Sequence, residues 1–204
     1  MTRHTGETTD TVHLKILYFG TPVVLLTTLN EDGSSNITPL SSAWALGNRI
    51  VLGLGEGAHG LANLRRQAEC VVNVPNSELW RNVEALAPLT GADPVPDHKK
   101  AVFRHEKDKF GASGLRAVRS QLVRPDRIAE CPLQIESRVV NLHLTGEGMR
   151  FAIVEVEAVT VHAHDGIMID RSHVDTTKWR PLIYSFRHYF DLGDDLGKTF
   201  RAEV

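Results

Sequence analysis

Cysteine is nearly absent. Cys70 and Cys131 are the only two in 204 residues. A chain of this length buries a sizeable core without disulfide staples, although one bridge between the two stays compatible with the sequence. Both lie in apolar, strand-like runs and read as buried free thiols in a reducing compartment. Long hydrophobic runs are absent as well. No stretch approaches the ~18–20 apolar residues of a membrane span, and the polar start MTRHTGETTD lacks the apolar centre of a signal peptide. The expectation is a soluble, cytoplasmic protein that does not associate with membranes. An excess of basic charge is missing too: the formal net charge is −2, which argues against a nucleic-acid partner. There is no Gly-x-Ser-x-Gly elbow, no Gly-Lys-Ser/Thr phosphate loop and no Gly-x-Gly-x-x-Gly after a first strand. His162, His164 and His173 lack Cys or His partners at ligand spacing, so a solvated strand face is preferred to a metal pair. No internal repeat or low-complexity segment is present.

What is there is mostly strand and hairpin. Residues 1–11 read as a frayed tail, and 12–204 as a single domain with an irregular insertion around 90–128. Val12 to Phe19 is an apolar lead-in, a strand or a turn of helix. Val23 to Leu29 is rich in β-branched and large apolar residues and reads as a fully buried strand. Asn30-Glu31-Asp32-Gly33 supplies a hairpin turn. Asn36 to Trp44 runs back, Gly47-Asn48 turns again, and Arg49 to Leu54 completes an antiparallel meander. A helix beginning near Gly60 carries Leu61, Leu64 and Ala68 on one face, and Glu69 to Val74 returns to strand. Leu79, Val83 and Leu86 have helical spacing. After a Pro-rich loop from Thr90 to Asp97, a short helix is expected over His98 to Arg104. His105 to Ile128 has no clean period and reads as a cover over a site, a contact surface or a surface excursion. Leu133 to Leu144 and Arg150 to Val161 are long strands joined by Thr145-Gly146-Glu147-Gly148, and Ile167 to Ile169 is a short one. The aromatic tail, with Trp179, Tyr184, Phe186, Tyr189 and Phe190, must pack against something. The fold class is therefore mainly β with inserted helices.

Two pieces between Asn36 and Arg66 exceed the needs of a scaffold. The loop from Gly53 to Gly60 feeds a helix whose first amides, from Ala58 to Ala62, lack partners; such amides and the helix dipole favour a phosphate. His59 adds a charge or a hydrogen bond there. The plainer alternative is a glycine-rich turn. The other piece, Thr38-Pro39-Leu40-Ser41-Ser42, concentrates hydrogen-bonding groups beside a proline, and its small residues let a flat ligand approach the backbone. An edge-strand irregularity explains it equally well.

The ordered set of motifs resembles the flavin reductase-like family with the FMN-binding split barrel. Asn36-Ile37-Thr38-Pro39-Leu40-Ser41-Ser42 is similar to its N-x-A-P-x-S segment, and Gly60-Leu61-Ala62-Asn63-Leu64 to its phosphate-loop helix start. Cys70-Val71-Val72-Asn73-Val74 is similar to the following strand. Asp108-Lys109-Phe110, Gly114-Leu115, and Pro125 to Pro132 with Glu136 are similar to its later pattern. The resemblance implies an antiparallel split β-barrel and a homodimer with a flavin at each subunit interface, FMN with FAD as the alternative. Pro39 to Trp44 (Leu40, Ser41, Ser42 and Ala43 between them) and Thr38 would line the isoalloxazine. Ala58, His59, Gly60 and Asn63 would hold the phosphate, with Asn73 near the site. It implies hydride transfer from NAD(P)H through flavin to a small-molecule acceptor, with no protein acid or base. A loop over His105 to Arg124 would cover the nicotinamide, with Lys109, Arg116 and Arg119 as phosphate contacts. One departure stands out: the family commonly has a lysine followed by a small polar residue where this chain has His59, Gly60 and Leu61. That departure favours the alternative of a non-catalytic flavin carrier or sensor; a split-barrel protein using another cofactor is a further alternative.

Overall fold

The computed structural model describes residues 9–146 and 150–200. Residues 1–8 of the expected tail, and the centre of the turn expected after Leu144, lie outside the described residues. The elements run β1 (Phe19–Pro22), β2 (Val24–Leu29), β3 (Ser35–Leu40), β4 (Ala43–Leu46), β5 (Arg49–Gly55), α1 (His59–Arg66) and β6 (Glu69–Val74). Then come α2 (Trp80–Leu86), β7 (Leu89–Thr90), β8 (Arg104–His105), α3 (Lys109–Ser113), β9 (Ala117–Val118) and β10 (Arg127–Ile128). The long hairpin β11 (Leu133–Leu144) and β12 (Phe151–Ala163) precedes β13 (Ile183–Ser185) and β14 (His188–Phe190).

Seven strands form one sheet in the order β3-β2-β6-β11-β12-β5-β4, every neighbouring pair antiparallel. The edge strands β3 and β4 are consecutive in the chain, with only Ser41 and Ser42 between them. The sheet must therefore curl until its two edges meet at these serines, which makes it a split barrel rather than an open sheet. The amide of Gly53 donates to the Ser42 carbonyl at 2.7 Å and ties the seam to β5. The single strand expected from Asn36 to Trp44 is thus two strands on opposite edges, and the simple meander does not hold. Pro39 has no N–H to continue a ladder, and the chain crosses the split two residues later.

Inside the curl, Leu26, Leu52, Leu54, Val72, Val154 and Val156 pack with Leu61 and Leu64 of α1. A second core lies outside it, where Val23, Leu25 and Ile37 meet Val83 and Leu86 of α2, Leu115, Ile128 and Leu182. β2 is buried along its whole length because it separates the two cores, and this is why it reads as an unbroken apolar run.

Other local expectations change. Residues 12–18 have no regular structure and leave Leu14 and Leu17 exposed; the chain first pairs at β1, against β13. α1 ends at Arg66, leaving Ala68 exposed beyond it. In place of a helix over 98–104 there is one 3₁₀ turn, Asp97–Lys99, bounded by Pro96 and by the pairing of Arg104 with Leu89. In place of a strand over 167–169 there is a 3₁₀ turn, Asp165–Ile167. His162 is not solvated: its Nε2 lies 2.8 Å from the buried carboxylate of Glu136, which also accepts the amides of Gln121, Leu122 and Val123. No group of three metal-ligating side chains occurs among the described residues. Cys70 and Cys131 are both buried and free. No helix among the described residues is long and apolar enough to cross a membrane.

Candidate functional site

Two adjoining cavities, of about 370 and 290 Å³, open on either side of the barrel seam. They share the wall formed by Thr38, Pro39, Leu40 and Ser41, together with Gly55, Ala58 and Tyr184. The smaller extends over Ser42, Gly53, Leu54 and Tyr18. The larger runs beneath α2 to Val83 and Leu86 and is bounded by Phe103, Tyr189, His59, Lys99 and Lys109. Ligand sites commonly have this make-up of apolar walls with a few polar groups.

The charged groups are of one sign. Among the described residues no carboxylate lines either cavity, whereas Lys99 and Lys109 line the larger one beside the His59 ring. They gather at the start of α1, which has no side-chain cap and no acidic residue in its first turn. Of the amides from Ala58 to Ala62 expected to be unpartnered, Ala58 donates to the Gly55 carbonyl and Leu61 and Ala62 to that of Ala58, because the tight turn before the helix closes on itself; the amides of His59 and Gly60 and the dipole add partial positive charge to that corner. Gly60 brings the helix against β3 so closely that a Cβ there would fall 2.5 Å from the Thr38 hydroxyl. Lys109 is 3 % exposed, and its Nζ donates to the Ile37 carbonyl at 2.8 Å. Burial, followed by the charge of Lys99, lowers its pKa to about 8 against a smaller opposing effect of Glu106. Burial, followed by Lys109, His105 and Arg66, holds His59 below the usual imidazole range. His59 Nε2 lies 3.0 Å from Asn30 Oδ1, which can only accept. The neutral ring therefore carries its proton on Nε2 and leaves Nδ1 as a bare acceptor. Close by, the buried Oδ1 of Asn36 has no partner, and it lies 2.6 Å from where a Cβ of Gly91 would sit. Asn36 lines neither cavity.

The site residues expected from the sequence divide into groups. Thr38, Pro39, Leu40, Ser41, Ala58 and His59 line the larger cavity and Ser42 the smaller, and Gly60 packs behind them. Ala43 faces the barrel core, and Trp44 projects outward at 58 % exposure. Asn63 turns its amide to Thr28 and Asn30. Asn73 donates to the Leu25 carbonyl and accepts the Ile128 amide, clamping β10 to the sheet. Lys109 reaches the cavity. Arg116 instead pairs with Glu130 at 2.8 Å, and Arg119 faces Asp126 at 3.7 Å on the exposed side. Sequence reasoning missed Lys99, Phe103, Val83 and Leu86 as lining residues, and placed Tyr184 and Tyr189 only as packed. No local signal marks them, because they come from three separate segments.

Known proteins fit this geometry. Residues 16–193 match the family described as flavin reductase like domain. The YdfE protein of Bacillus subtilis (strain 168), described as uncharacterized, is 50 % identical over 191 residues, covering 93 % of this chain and 92 % of its own. Among solved structures, flavoredoxin of Desulfovibrio vulgaris (Miyazaki F) superposes with a TM-score of 0.79 at 20 % identity, over 96 % of this chain and 99 % of that one. The NADH:FAD oxidoreductase SgcE6 of Streptomyces globisporus C-1027 gives 0.63 at 14 % identity, over 86 % and 88 %. At such identities the structural likenesses speak for the fold alone. The family match and the YdfE relative span nearly the whole chain, which therefore belongs to the flavin reductase like family.

Proposed function

We propose that the cavities at the seam hold FMN and that the protein is an NAD(P)H-dependent flavin oxidoreductase with a small-molecule acceptor. The carrying observation is the cationic corner at the uncapped start of α1, with no carboxylate among the described lining residues and set in a mostly apolar cavity. The 5′-phosphate fits there, on the amides of His59 and Gly60 with Lys109 beside them. The Thr38–Ser42 segment presents backbone and the small side chains of Thr38, Ser41 and Ser42 to the flat ring. A bound flavin supplies the redox chemistry by taking hydride from reduced nicotinamide, so no protein acid or base is required. The walls of Val83, Leu86, Phe103 and Tyr184 keep water from the reacting face. The nicotinamide donor is supported by the activity named for the Streptomyces relative of the same fold. Burial pushes the pKa of the Cys70 thiol up to about 12 and that of Cys131 higher still, so neither is poised to act as a nucleophile.

Anaerobic mixing of the FMN-loaded protein with NADH and with NADPH tests this reading. Loss of the oxidised-flavin absorbance with either donor is expected. Persistent absorbance with both, while FMN stays bound, would instead identify a non-catalytic flavin carrier.

A further inference from the structure

Between Thr90 and Arg104 the chain makes an excursion closed at its base like a strap. β7 and β8 pair in parallel there, Leu89 with Arg104 and Thr90 with His105. Its tip, the 3₁₀ turn Asp97–Lys99, lies across the loop that feeds α1. Lys99 Nζ donates to the Gly57 carbonyl at 2.6 Å, two residues before the helix begins. Gly57 permits the approach, since a Cβ there would meet His98 Nε2 at 3.2 Å and Lys99 Cε at 3.4 Å. Lys99 is half-buried, lines the cavity together with Phe103, and sits over that ring at 5.4 Å. It bonds to no carboxylate among the described residues, because the neighbouring Asp97 is taken by Lys100 at 2.6 Å. Two of its three donors have no partner among the described residues, and burial lowers its pKa.

We propose that the strap delivers Lys99 as a phosphate-binding cation, replacing from across the cavity the lysine that the loop before α1 lacks. The inference rests on the FMN reading above. A cation held over the helix start completes the donor set for a phosphate monoester, while the uncharged part of the ligand gains nothing from it. The Gly57 contact fixes the height of the strap and hence the place of the ammonium group. Fixed in this way, the side chain loses less freedom on binding than a surface lysine would.

The test is to titrate wild type, Lys99→Met and Lys99→Arg with FMN and with riboflavin, which lacks the phosphate, following flavin fluorescence. In Lys99→Met, FMN affinity is expected to fall about 10- to 100-fold, as for one charge-assisted hydrogen bond. Riboflavin affinity should be unchanged, and Lys99→Arg should recover most of the loss. Unchanged FMN affinity in Lys99→Met, or an equal loss for FMN and riboflavin, overturns the proposal. The equal loss would make Lys99 a prop for the strap only. Wild type that takes up neither flavin overturns the FMN reading itself, and this inference with it.

Discussion

Lys109 holds an ammonium group at 3 % exposure with one hydrogen bond, to a backbone carbonyl, and no ion pair among the described residues. A buried, uncompensated cation is costly to the fold, and its pKa of about 8 expresses that cost. Because this pKa lies below its unfolded value, folding releases a proton between about pH 8 and pH 10.5, and this residue's contribution becomes less unfavourable as pH rises through that window. Two outcomes follow for Lys109→Met. The flavin-free variant should melt no lower than wild type, and FMN affinity should fall at least about 10-fold. A melting temperature several degrees lower with FMN affinity intact would make Lys109 structural. In wild type, FMN affinity should be full below pH 8 and decline above it as Lys109 loses its proton, while riboflavin affinity stays flat. The sequence made Lys109 visible through its motif, yet it gave no reason to separate it from Arg116 and Arg119. Burial separates them, and burial depends on α3 lying against Ile37, a contact 72 residues apart in the chain.

Among the elements, α1 and the β3–β4 seam make the site. The helix start was readable in the run from Gly57 to Leu64, because glycines before an apolar period mark it locally. The seam was not. Asn36 to Trp44 reads as one strand, since the two edges it joins meet only after five other strands are in place. Asn63 and Asn73 show the same limit: polar residues in apolar runs stand out, but their partners Thr28, Asn30, Leu25 and Ile128 are distant. Gly60→Ala discriminates between helix propensity and close packing. Alanine gains about 1 kcal/mol in a helix interior. Here its Cβ would sit 2.5 Å from Thr38 Oγ1, so Thr38 must turn within the cavity wall or α1 must move away from β3. The expected result is at least about 10-fold weaker FMN binding, since a fixed donor set tolerates little displacement. FMN affinity equal to wild type in this variant would mean that the α1–β3 spacing does not shape the site.

At the scale of the whole molecule, the outer face of the barrel is the least self-sufficient surface. Trp44, Leu46, Phe151 and Ile153 are 40–74 % exposed, and the register of β4, β5 and β12 puts them on one side, away from the core. The ion pairs of Arg49 with Glu155 and Glu157 lie among them on the same face, and such a mixed face beside a cavity suits a second copy of the chain. A homodimer is the proposed assembly, and Leu46→Asp with Trp44→Glu should shift sedimentation to the monomer. Unchanged sedimentation would place the interface elsewhere. The antiparallel, hairpin-rich class was legible from turn residues and β-branched runs, whereas the curl of the sheet and the reach of the strap are properties of the assembled chain. The central claim is that the cavity at the seam is a flavin site whose charged end is the start of α1. Comparing the dissociation constants of FMN and riboflavin for the wild-type protein at pH 7 tests it most directly. The account expects saturable binding of FMN, with riboflavin at least about 10-fold weaker for want of the phosphate. No uptake of FMN, or equal affinity for the two, would contradict it.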